Sequence, residues 1–204
     1  MILTILTTIA SVGTALVKSL AIIGMAIQGL KVIGNVLIGI AKALGIIKPE
    51  TDVRELGDKA LQAEEAGMKP ENYPSFAEYV KAVDNFTLDP EKSKLTTEEE
   101  KLGKGIELGC GVMVEKFPEL PIKEFSEFMG KNPEYFNAGK IAALFDLAAK
   151  DGKTFTEVVG YMTGKEKQYE KIDSAISALT KIEKTVNPDI SDRDALKAVM
   201  EIRK

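Results

Sequence analysis

An all-α fold is predicted by three features of this 204-residue chain. No stretch alternates apolar and polar residues well enough to make a strand. Serine, threonine and proline fall at spacings that start and separate helices. Aromatic residues make up only 6% of the chain and tryptophan is absent, which suits aliphatic helix packing better than a β-sandwich. The architecture expected is an apolar N-terminal helical segment over 1–47, formed as one bent helix or a helical hairpin. A linker at 48–52 then leads to a compact, acidic multi-helix domain over 53–204.

The N-terminal segment is nearly continuous in apolar residues until "KPETD" at 48–52 breaks it with a proline and the first acids. It lacks the basic start of a cleaved secretory signal, since its first lysine is Lys18, and it runs on well beyond an ordinary signal core. Thr4, Thr7, Thr8, Ser11, Thr14 and Lys18 fall in one sector of roughly 120° when projected at 100° per residue. Gln28, Lys31, Asn35 and Lys42 fall in a sector of about 60°, displaced from the first by roughly a third of a turn. One straight helix cannot carry both stripes on one face, so a break is expected between Ser19 and Gln28, centred on Gly24.

Glycines recur at 24, 29, 34 and 39 within "GMAIQGLKVIGNVLIGIAKALG". A five-residue step turns an α-helix by about 140°, so these glycines spread around the axis instead of lining one side. The spacing is not that of small residues joining two membrane helices. Each glycine costs about 1 kcal/mol of helix stability relative to alanine. The segment therefore depends on its surroundings, whether lipid, neighbouring subunits or the rest of its own chain.

Beyond residue 52, helices are expected near 52–66, 75–86, 97–116, 121–130, 138–150, 155–163, 166–186 and 192–203. Ser75 with Glu78, Thr97 with Glu100 and Thr154 with Glu157 have the spacing of capping boxes. Proline-bearing turns such as "MKPENYPS", "FPELP" and "VNPDIS" separate the helices. Tyr169, Ile172, Ile176, Leu179, Ile182 and Val186 form one apolar seam, expected to pack in the core.

Charge is split along the chain. Four of the 27 basic residues (Lys18, Lys31, Lys42 and Lys48) lie in residues 1–48, which hold no acid, so 23 face all 31 acids in the remainder. The acidic remainder argues against nucleic acid as the main partner, because phosphate binding needs a concentrated basic surface.

Candidate chemistry is sparse. Histidine is absent, which removes the commonest general base and the commonest transition-metal ligand. Cys110, the single cysteine, has no dyad partner and reads as a small buried apolar residue. The glycines of "LGKGIELGCGVMVEKF" match neither phosphate-loop nor dinucleotide spacing, and close helix packing accounts for them better. In "DPEKSKLTTEEE", oxygen-bearing residues fall at several calcium-loop positions, but Lys94 stands where the turn demands glycine. No catalytic residue, metal site or cofactor is assigned.

The function expected is therefore non-enzymatic. One form is membrane association or holin-like pore formation through residues 1–47. The other is a structural subunit of a multi-copy assembly, such as a phage or injection apparatus, whose N-terminal helices pack between neighbours. In either form the contact residues are Lys18, Gly24, Gln28, Gly29, Lys31, Gly34, Asn35, Gly39 and Lys42. The partners are a lipid bilayer or neighbouring subunits, with homo-oligomerisation expected.

Overall fold

A computed structural model describes residues 2–203, with side chains from Thr4 onward. Among the described residues the chain is all-helical, and no strand occurs. The helices are α1 (Ile2–Ile22), α2 (Ile27–Ala43), α3 (Val53–Glu65), α4 (Phe76–Asp84), α5 (Pro90–Ser93), α6 (Glu98–Lys116), α7 (Ile122–Lys131), α8 (Ala138–Lys150), α9 (Gly152–Met162), α10 (Tyr169–Val186) and α11 (Asp192–Ile202). A 3-10 turn over Pro70–Asn72 precedes α4.

The break near Gly24 is present and has a defined geometry. Gly24 adopts φ +67, a left-handed conformation that glycine enters without a side-chain clash. Its N–H donates to the Ala21 carbonyl at 3.0 Å and the Met25 N–H to Leu20 at 3.1 Å, the pair of bonds that closes a helix C-terminus. Beyond the break α1 and α2 diverge instead of pairing. Each packs on α6, while α1 also reaches α7 and α2 reaches α8.

Helix α6 is the hub, and its glycines explain how it accommodates so many neighbours. A Cβ on Gly105 would collide with the Val53 carbonyl of α3, and one on Gly57 of α3 with the Lys101 carbonyl of α6. The two backbones thus meet through a reciprocal pair of glycines. One turn on, Gly109 receives Leu37 of α2, whose Cβ would lie 2.8 Å from an added methyl, and Gly111 receives Phe76 and Ile9. The "LGKGIELGCGV" run is a packing surface for four helices, α1 to α4.

The second half of the chain gathers around Phe125, whose ring meets those of Phe136, Phe145 and Phe155 edge-on at 6.0, 5.5 and 5.5 Å. Edge-to-face geometry at this spacing is favourable beyond simple burial. The α3–α6 group and the α7–α11 group meet chiefly through α1 and α2, and all share one apolar cluster running from Ile9 to Ile202.

Most helix starts follow the spacing of their caps. Ser75 accepts from the Glu78 N–H at 3.2 Å, and Thr97 with Glu100 forms a complete capping box. Thr154 does not cap. Asp151 accepts from the Thr154 N–H at 3.0 Å, so α9 begins at Gly152, earlier than expected. Glu157 is drawn into the interior and accepts from the Ser174 hydroxyl at 2.5 Å. The Thr154 hydroxyl is itself taken up, donating to the Asp151 carboxylate at 2.7 Å inside the first turn.

Candidate functional site

The two N-terminal helices use their polar stripes differently. Along α1, Ile9, Val12, Leu16 and Leu20 are buried, while Thr4, Thr7, Thr8, Ser11, Thr14 and Lys18 all face outward. The outward face of α1 thus carries its hydroxyl-rich stripe, alongside exposed Ile5 and Ile22. Along α2, Ile33, Gly34, Leu37, Ile38 and Ala41 are buried. Gln28 and Asn35 are exposed and Lys31 and Lys42 half-buried. Between this polar stripe and the core runs a third sector of α2 made of Val32, Val36, Gly39, Ile40 and Ala43. Val32, Gly39 and Ala43 are exposed, Val32 at 45%.

The third sector borders a groove of about 440 Å³ between α2 and α8. Val36, Gly39, Ile40, Ala43 and Leu44 line one wall, with Phe117, Ala149, Asp146 and Lys150 opposite. Asp146 accepts from Lys150 at 2.7 Å, so the one acid of the groove is already paired. Lys18, Lys31, Lys42 and Lys48 have no ion-pair partner among the described residues. Of these, Lys42 follows the lining residue Gly39 by one turn of α2. An apolar channel with an unneutralised lysine next to it can receive an apolar group that carries negative charge around it.

The nine residues expected to make contacts do not form one surface. Gly24 shapes the turn between helices, and Lys18 lies on the outer stripe of α1. Gly34 faces inward, where an added Cβ would lie 2.5 Å from Val53 Cγ2. Gly29 lies against Met25 and Ala138 of its own chain. Gly39 alone among the glycines of α2 faces open space, with nothing within 4 Å of a Cβ. Gly39, Gln28, Asn35, Lys31 and Lys42 therefore remain as the outer set on α2.

A buried polar network, unmarked in the sequence, lies at the other end of α6. Lys101 sits 3.1 Å from Asp58, whose carboxylate also accepts short hydrogen bonds from Ser93 and a bond at 3.2 Å from Gln62. Burial works to raise the Asp58 pKa, but the bonds from Ser93, Lys101 and Gln62 outweigh it and hold the carboxyl below its ordinary range. Lys101 also donates to the Ser93 carbonyl at 2.6 Å, and Gln62 binds both the N–H and the carbonyl of Asp89, at 2.8 and 3.2 Å. Alongside, Lys59 donates to the Asp84 carbonyl at 2.9 Å and Asp84 accepts from Thr51 at 2.6 Å.

This network clamps the turn around α5. From that turn Leu95 projects with 85% of its surface exposed. The oxygen atoms at calcium-loop spacing are occupied locally. Asp89 caps Glu91, Ser93 binds Asp58, Glu91 pairs with Lys94 at 2.6 Å, and Thr97 and Glu100 cap α6.

Two other clusters are internally satisfied. Lys104 lies 2.7 Å from Glu64 and 3.1 Å from Glu107, and the Tyr79 hydroxyl donates to Glu64 at 3.2 Å. Burial would lower the Lys104 pKa, but Glu107 and Glu64 raise it, so the ammonium is held charged. Cys110 is fully buried, and burial together with Glu107 pushes its thiol up to about 12, which leaves it protonated and unreactive at neutral pH.

The groove wall from α8 and Phe117 and the projecting Leu95 were not foreseen from the sequence. Leu95 had a visible signal, as the only large apolar side chain in "DPEKSKLTTEEE". The groove had none, because it joins residues more than 70 positions apart. No family model, curated protein or solved structure matches this chain.

Proposed function

We propose that the protein is a non-enzymatic structural subunit of a multi-copy assembly that meets its neighbours through the outer face of α2. One observation carries this reading: Val32, Gly39 and Ala43 are exposed and, with the half-buried Val36, form an apolar sector that borders a groove, next to the unpaired Lys42 on α2. Helix α1 supports it by contrast. Its apolar face packs on α6 and α7, and the middle of its outer face is hydroxylated, with Ile5 and Ile22 exposed towards the ends.

Membrane association is the second reading, and a separate observation favours it. Thr4–Ile22 has the length and composition of a membrane span, with a third of that window buried in the fold. The lysines and apolar sector of α2 also suit an anionic bilayer surface. Spanning by α1 requires its apolar face to leave α6 and α7.

Liposome co-flotation of the full chain, with the unbound fraction sized by light scattering, separates the two. A lipid-indifferent oligomer supports the assembly reading. Flotation with monomeric unbound protein overturns it in favour of the membrane.

A further inference from the structure

We infer that the α2–α8 groove receives the Leu95 turn of a second copy of this chain, so that copies join head to tail. The inference rests on the assembly reading and names its partner surface. Leu95 is the most exposed large apolar side chain among the described residues, at 85%. Residues 89–100 around it carry five acids against two lysines, and Glu99 has no ion-pair partner among the described residues. The groove offers the complement: an apolar channel of about 440 Å³ whose single acid, Asp146, is already neutralised by Lys150, with the unpaired Lys42 one turn of α2 beyond the lining residue Gly39.

The turn is held ready for docking. Its base is fixed by Ser93 on Asp58, by Lys101 on the Ser93 carbonyl at 2.6 Å, and by the Leu95 N–H on Lys92 at 3.0 Å. A projecting side chain on a rigid base loses little conformational freedom on docking. This gives the buried network a purpose beyond stability, since a solvated loop could have joined α4 to α6 without it.

The geometry also sets the symmetry. Leu95 lies just before the start of α6 and Phe117 just after its end, and a helix of 19 residues is roughly 28 Å long. Knob and groove therefore lie at opposite ends of the molecule, and one copy cannot fill its own groove. Contact between two different patches is heterologous, which propagates into a ring or a filament instead of stopping at a two-fold dimer.

The test is sedimentation velocity on the full chain in lipid-free buffer, over a concentration series at low and high salt. Leu95→Asp blocks the knob, and Gly39→Glu with Ala43→Glu blocks the groove; all three positions are exposed, so the fold is retained. Wild type is expected to form species larger than a dimer that shrink as salt rises. Each blocked variant alone is expected to associate about tenfold more weakly or less. An equimolar mixture of the two variants is expected to restore association but stop at a dimer, because one good knob and one good groove remain. Assembly by Leu95→Asp at wild-type strength, or a wild type that stops at a dimer, overturns the head-to-tail contact and leaves the assembly reading standing. A wild type that stays monomeric throughout overturns both.

Discussion

Helices α1 and α2 have nearly the same composition, apolar and lysine-bearing without acids, yet they present opposite surfaces to water. In α1 one apolar face is covered by α6 and α7, and the outer face is mostly threonine, serine and Lys18, with Ile5 and Ile22 exposed towards its two ends. In α2 the buried face is equally well covered, but a second apolar sector keeps Val32, Gly39 and Ala43 exposed and Val36 only half-buried. Mean hydropathy does not separate these cases. Angular distribution does: beyond its buried face α2 carries a second apolar sector that borders α8 and stays partly exposed.

The comparison can be broken most severely by removing both helices. Because the α3–α6 and α7–α11 groups meet chiefly through α1 and α2, residues 53–204 alone are expected to lose cooperative unfolding and the near-ultraviolet signal of fixed tyrosines. A sharp thermal transition in that fragment would show the two groups to be self-sufficient. This outcome would restore the self-standing domain that the sequence suggests.

Lys101→Met tests the far end of α6. Leaving the Asp58 carboxylate buried without its ion partner is expected to cost about 3–5 kcal/mol in chemical denaturation. The same network has a pH signature. The Asp58 pKa is lower in the folded state than in the unfolded one, so its stabilisation is full above the ordinary aspartate value of about 3.9 and is lost as pH falls through the folded value. The stability gap between wild type and Asp58→Asn is therefore expected to be constant at neutral pH and to narrow in acid. A gap that widened on acidification would contradict the assignment.

The two faces of α2 are compared directly by a pair of glycine substitutions. Gly34→Leu drives a side chain into Val53 and is expected to destabilise by about 1–3 kcal/mol. Gly39→Leu enters open space and is expected to stabilise the helix by up to about 1 kcal/mol. Equal effects in thermal unfolding would remove the distinction between the faces. Smallest of all, Ser11→Ala and Thr14→Ala on the outer stripe of α1 are expected to change stability by less than about 0.5 kcal/mol.

The fold was legible where local chemistry decides it. Offset stripes placed the break at Gly24, and Ser75 and Thr97, each three residues before a glutamate, placed the starts of α4 and α6. The exception at Thr154 arose because Asp151 stood three residues nearer the preceding helix. The site was legible only in part. Periodicity marked Gln28, Lys31, Asn35 and Lys42 as one side of α2 and spread the glycines around the axis, but it could not tell an inward glycine such as Gly34 from an outward one such as Gly39. That difference depends on Val53, nineteen residues away. The Asp58–Lys101 pair and the groove wall at Phe117 and Ala149 arise from tertiary contacts, for which one sequence carries no periodic signal.

The central claim is that α2 holds the fold with one face and offers the other for assembly. Its most direct test is to measure thermal unfolding and sedimentation of the Gly39→Glu, Ala43→Glu chain on the same samples. The account predicts a melting temperature within about 2 °C of wild type and loss of the large species. A collapsed melting temperature, or an unchanged assembly at an unchanged melting temperature, would contradict it.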